Sequence, residues 1–221
     1  FPPFNRVGGR RWAKHVKYMN REGLNTYVLA GDFPNSRSSW DNDILEYKNK
    51  ITRVKLINKT QPFFKRKLPL SLGEKIKWKI SFYIWKLYQP FLKGNYNDVS
   101  INSKDLFLKA ACKVIEECKI SVIILSVGPF RYSEILIDIK KNFPGLKILL
   151  DCRDKWEDSL VGLNKTQQEF ELACEKSVLS CVDMVLTVNQ NINQYSENKD
   201  KGLKTYGLPD CVDEDVFQIS S

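Results

Sequence analysis

The chain lacks the residue spacings that mark a metal centre or a disulfide framework. Its six cysteines, Cys112, Cys118, Cys152, Cys174, Cys181 and Cys211, are scattered through the second half with no CxxC pair. No zinc module is therefore expected, and a reduced, cytoplasmic chain fits best. Histidine is nearly absent, with His15 standing alone. No apolar run approaches the roughly 18 residues that suggest a membrane-spanning helix, and no secretory leader is visible. Also missing are the third glycine of a GxGxxG dinucleotide fingerprint, any internal repeat and any low-complexity segment. The chain opens at Phe1 without a methionine and stops at Ser221 just past an apparent loop, so a fragment of a longer protein is expected.

Acidic residues are outnumbered, 26 against 35 Lys and Arg, leaving a net charge of +9. This excess favours anionic partners: a nucleotide, a phosphorylated lipid, a membrane surface or nucleic acid. With 221 residues, 43% of them apolar, the chain can bury one core or at most two small ones.

Periodicity resolves the chain into alternating helices and strands. Arg10–Asn20 carries Trp12, Val16 and Met19 at near-helical spacing, Gly23 stands where a C-cap glycine would, and TYVLA (26–30) reads as a buried strand. A second strand is expected over Ile51–Ile57. Pro62, Pro69 and Pro90 bracket a region, about 61–96, dense in lysine and aromatics, which reads as an inserted helix with loops. Ser103 then suits the N-cap of a helix running to Cys118, followed by the strand SVIILS (121–126). A helix over Tyr132–Asn142 leads into KILLD (147–151), and one over Gln167–Ser180 leads into DMVLTV (183–188). Strands separated by such helices imply parallel βαβ units. The expected fold is α/β, Rossmann-like and doubly wound, a mainly parallel sheet with helices on both faces and ligands at the carboxyl ends of the strands.

Several motifs fall at those ends. Gly8 and Gly9 precede a helix, where they serve either as a tight turn or as a close approach for phosphate to helix amides. Ser126 and Gly128 follow a strand, as an ordinary loop or a pocket floor. Asp151, Arg153 and Asp154 of DCRDKW end another strand, and must form an ion-pair network or face a cleft. His15 is a minor acid-base candidate on the first helix. From Lys75 to Lys93, lysines interleave with aromatics; Lys75, Trp78, Lys79, Phe82, Trp85 and Lys86 suit a peripheral membrane helix as well as they suit a packed helix with a basic outer face. Nucleic acid ranks behind both, since no recognisable module accompanies the stretch.

In this order the motifs resemble the amino-terminal domain of glycosyltransferase family 4 enzymes, which have the GT-B fold. FPPFNRVGGRRWAKHVKYMNREGLNTYVLAG is similar to that family's opening, ILSVGPFRYSEILIDIKKNFPGLKILLDCRDKW to its central segment, and EKSVLSCVDMVLTVN with YGLPDCVDEDVF to its last strand and interdomain linker. The similarity covers Phe1 to Phe217 apart from about 33–100. Two departures stand out: the family's first β-strand, which precedes the Pro-Pro turn, is missing, and the linker reads Gly-Leu-Pro-Asp-Cys instead of Pro-Asn-Gly.

The resemblance implies one acceptor-side domain over 1–217, a linker from 206 to 221, and a carboxy-terminal donor domain with an E-x7-E motif beyond it. The function implied is retaining, metal-independent transfer of a sugar from a nucleotide-sugar co-substrate to a glycan or lipid-linked acceptor, with no cofactor. The fragment alone is expected to be inactive. By the same resemblance Gly8, Gly9 and Arg10 face the donor diphosphate, Asp151, Arg153 and Asp154 line the acceptor side with catalytic roles, and Ser126, Gly128 and His15 shape the acceptor pocket. The expected location is the cytoplasm, with the inner face of the membrane available if the basic helix meets lipid. Two alternatives stay open: another nucleotide-dependent α/β enzyme, of epimerase or dehydrogenase type, and a non-enzymatic membrane-associated binding module.

Overall fold

The computed structural model describes residues 1–2, 7–32, 40–56, 71–88, 91, 93–95, 98–189, 191–192 and 202–210, without the side chains of Val7, Trp85, Lys86, Tyr88 and Val99. The described helices are α1 (Val7–Arg21), α2 (Leu72–Tyr88), α3 (Lys104–Cys118), α4 (Ile135–Asn142) and α5 (Lys165–Leu179). The strands are β1 (Val28–Asp32), β2 (Ile51–Lys55), β3 (Val122–Ser126), β4 (Lys147–Cys152), β5 (Met184–Thr187) and β6 (Thr205–Gly207). Short 3-10 turns cover Asp41–Lys50, Val99–Asn102, Phe130–Glu134 and Trp156–Leu160.

The described strand pairings are parallel, a pattern that requires crossover connections rather than tight hairpins. The fold is thus α/β, but the described strands form two sheets: β1 pairs with β2, and β3-β4-β5-β6 lie side by side in that order. Helix α3 ties them together, packing on β1, β2 and α4, while Leu29 of β1 joins the main core cluster. At the centre of that core, Leu136, Ile139, Ile148, Leu150, Val178 and Val185 are at most 1% exposed. They come from α4, β4, α5 and β5, so the βαβ units supply the apolar contacts that stabilise the larger sheet. On β3, Val122 and Ile124 remain 48% and 36% exposed.

The element ends have local causes. Gly23, at φ 82°, closes α1 with a Schellman motif: its amide donates to the Asn20 carbonyl and that of Leu24 to Met19. Helix α5 starts at Lys165, earlier than periodicity suggests, because Asn164 and Gln167 form a reciprocal capping box. Ser103 does sit at the N-cap of α3, but its side chain makes no capping bond; the hydroxyl engages Tyr132 instead. TYVLA is displaced by two residues, β1 beginning at Val28. The segment expected to open the linker contributes β6, paired to β5. Pro62, Pro69, Pro90, Ile57 and positions 211–221 lie outside the described residues.

Candidate site at the carboxyl ends of the strands

A buried carboxylate fastens α1 to the end of β4. Asp151, the penultimate residue of β4, is 0% exposed. Its Oδ1 accepts from Arg11 Nη1 at 2.8 Å, and its Oδ2 from Arg11 Nη1 at 3.0 Å, Trp12 Nε1 at 2.6 Å and Ser126 Oγ at 2.7 Å. Arg11 continues the chain of contacts: Nη2 donates to the Leu208 carbonyl at 2.7 Å, and Nε lies 2.8 Å from Asp210. Burying a carboxylate and a guanidinium is costly unless each is paired and hydrogen-bonded; here the carboxylate and both Nη groups are, while Arg11 Nε is near Asp210 without a hydrogen bond to it. With both oxygens hydrogen-bonded and the side chain 0% exposed, Asp151 is closed off from a substrate hydroxyl in this arrangement. Its geometry is that of a clamp joining α1, β3, β4 and the segment after β6.

Arg153, one residue past β4, also reaches α1. Its guanidinium lies directly against Gly8, where a Cβ would overlap Nη1, and a Cβ on Gly128 would come 3.1 Å from Nη2. Gly128 has φ 132°, a conformation that L side chains rarely adopt. Arg153 Nε is buried without a hydrogen-bond partner, and no carboxylate pairs with Arg153 among the described residues. The first-turn amides of a helix have no intrahelical acceptor, so a guanidinium and the positive end of α1 meet at one point.

The other expected site residues divide. Gly9 lies against the backbone of Phe1. Arg10 turns away from that point, donating to Asp43 at 3.2 Å and stacking 5.1 Å from the Trp40 ring; Lys14 holds the same carboxylate at 2.9 Å. Asp154 is exposed and, with Cys152, Trp156 and Glu175, edges a small hollow that Arg153 does not line. Burial pushes the Cys152 thiol up to about 12, so it stays protonated. Ser126 and Gly128 are exposed beside the clamp. His15 is half-buried 5.2 Å from the Trp12 ring, with Nε2 buried and unpartnered. Burial first, and then the charge of Arg11, lower its pKa, which favours a neutral ring at pH 7.

A second buried network was not anticipated. Glu171 of α5, 1% exposed, accepts from the Asn95 amide at 2.6 Å, Arg131 Nη1 at 3.0 Å and Trp156 Nε1 at 3.0 Å. Arg131 also pairs with Glu134 and lies 5.0 Å from the Phe170 ring. Asp98 accepts from the amides of Ser100 and Arg131, and burial raises its pKa. A groove of about 320 Å³ between α3, α4 and α5 lies alongside, lined by Lys104, Glu134, Phe170 and Cys174 among others. It is the larger hollow, but its Lys104 and Glu134 charges are already paired at 2.6 Å, whereas Arg153 is not. The strand-end cluster is therefore the stronger candidate.

On α2, Lys75 and Lys79 are exposed, while Trp78 and Phe82 are half-buried and stacked at 5.4 Å. The side chains of Trp85 and Lys86 lie outside the described residues. No group of His, Cys, Asp and Glu able to hold a metal occurs among the described residues, and none of their helices is long and apolar enough to cross a membrane. Comparison with known proteins gave no match to a family model, a curated protein or a solved structure.

Proposed function

We propose that the chain is the acceptor-side half of a retaining glycosyltransferase that uses a nucleotide sugar, with the diphosphate of the donor meeting Arg153 and the first turn of α1. The observation that carries the reading is Arg153: a guanidinium with a buried, unpartnered Nε, flanked by Gly8 and Gly128 at the strand ends. An anion there would gain a charge-assisted contact and the favourable end of the helix dipole. As the sugar departs, charge builds on the diphosphate, and preoriented donors stabilise it without reorganising. In this scheme Arg153 takes the part expected of Arg10. Asp151 acts as a positioning residue, since it holds α1 and Ser126 in place. Ser126, His15 and Gly128 border the acceptor side, and the sheets form one doubly wound unit with one further strand between the free edges of β1 and β3, as the family resemblance implies.

The test is an NMR titration of this chain with uridine and guanosine diphosphates, reading the amide signals of Gly8, Gly9 and Gly128. The reading expects concerted, saturable shifts that disappear in Arg153→Ala while the remaining spectrum is preserved. Shifts of equal size in Arg153→Ala, or none in the parent, would remove the site.

A further inference from the structure

Helix α2 leaves its most apolar face uncovered. Leu72, Ile76, Ile80, Tyr83, Ile84 and Leu87 are 77%, 54%, 55%, 63%, 62% and 75% exposed. Their spacing puts them on one continuous stripe, roughly a third of the helix circumference at 3.6 residues per turn. No other described element packs on α2 beyond marginal contact, so nothing within the described fold covers the stripe. Trp78 and Phe82, stacked on each other, occupy the opposite side. The aromatic pair that draws the eye in the sequence therefore does not form the open face.

Charge indicates what the stripe meets. Lys75 and Lys79 flank one border and Lys77 the other, all exposed. Glu74 is the only acid of the helix, and it is engaged at the helix start, accepting from the Ser71 amide and hydroxyl at 2.8 Å. Its carboxyl is held below its usual pKa by those bonds. An apolar stripe bordered by lysines, on a chain of net charge +9, is complementary to acyl chains lying beneath anionic headgroups: the stripe sinks into the interface while lysine stems reach back to phosphate. A protein partner would also need to be both apolar and acidic. We infer that α2 lies in the plane of an anionic membrane surface, with Leu72, Ile76, Ile80, Tyr83, Ile84 and Leu87 inserted and Lys75, Lys77 and Lys79 contacting headgroup phosphates. This inference stands independently of the transferase reading.

The experiment is co-sedimentation of the 221-residue chain with phosphatidylcholine vesicles, with and without about one-third phosphatidylglycerol. Binding is expected only with the anionic lipid, and it should weaken as salt rises. Ile76→Glu/Ile84→Glu should reduce the bound fraction roughly tenfold or more with an unchanged melting temperature, because both side chains are already in solvent. Lys75→Glu/Lys79→Glu, which leaves the stripe intact, should abolish the preference for anionic lipid. Failure to sediment with anionic vesicles would overturn the inference. So would a lowered melting temperature in Ile76→Glu/Ile84→Glu, or conversion of an oligomer to a monomer by that variant in light scattering, since either would show that protein covers the face.

Discussion

Asp151 and Arg153, two residues apart, illustrate how one strand end separates structure from chemistry. The Asp151 carboxylate is fully buried and satisfied by Arg11, Trp12 and Ser126. Removing its charge leaves the Arg11 guanidinium, itself 5% exposed, with the Leu208 carbonyl and, as charged partner, the solvent-facing Asp210. Breaking a buried pair costs about 3–5 kcal/mol, and Asp151→Asn, which keeps the shape, should cost about 3 kcal/mol in urea unfolding. Combined with Arg11→Met, the loss should be clearly less than additive; additivity within about 0.5 kcal/mol would mean that the two do not act as a unit. At Gly8 the balance is different. A methyl there meets only the guanidinium end of Arg153, which must shift to admit it, so Gly8→Ala should change the melting temperature by no more than roughly 2 °C while abolishing the diphosphate-induced amide shifts. Sequence spacing located the DCRDKW cluster at a strand end. It did not reveal which residue would be neutralised, because Arg11 and Trp12, which hold Asp151, lie 140 and 139 residues away. The diversion of Arg10 was hidden for the same reason, Asp43 lying in a turn that has no periodic signature.

At the scale of elements, what the sequence made legible is what depends on near neighbours. The Schellman end of α1 follows from Gly23, and β3, β4 and β5 follow from short apolar runs. The capping box of α5 was equally readable, in Asn164 and Gln167, and outweighs the apolar periodicity that pointed to a later start. The Glu171 network was not readable, since it joins α5 to the turns at residues 95, 131 and 156. Trp156→Phe removes one of its three donors at a carboxylate 1% exposed. A cost of about 1–3 kcal/mol is expected from chemical denaturation; a neutral result would mean that water replaces the indole. Asp183 offers a pH test between α4, β4 and β5. It accepts from the Ile148 amide at 2.9 Å and pairs with Lys140 and Lys147. The amide bond is the leading cause that lowers its pKa from 3.8 to about 2. A depressed carboxyl contributes stability that is present above its unfolded value and lost as pH falls toward the folded one. The stability advantage of the parent over Asp183→Asn should therefore be full above about pH 4 and fade between about pH 4 and pH 2. A difference that stays constant across that window would contradict the assignment.

Over the whole molecule, two surfaces carry the functional account, and they differ in how far sequence reasoning reaches them. The strand-end site follows from topology: the parallel strands β3 and β4 bring Ser126, Gly128, Asp151 and Arg153 to their carboxyl ends, with Gly8 across from them. The open face of α2 depends instead on what does not pack against it, which no window of sequence records. The central claim is the transfer of a sugar from a nucleotide sugar, dependent on Arg153. The most direct measurement is nucleoside diphosphate release from a panel of UDP-, GDP- and ADP-sugars by the longest natural chain containing these residues, with a lipid and glycan extract of its source cells added to accept the sugar and a metal chelator present. The account predicts release from at least one donor, unaffected by the chelator and reduced by a factor on the order of 10² in Arg153→Ala with folding intact. Absence of release from every donor, or release at the parent rate in Arg153→Ala, would contradict it.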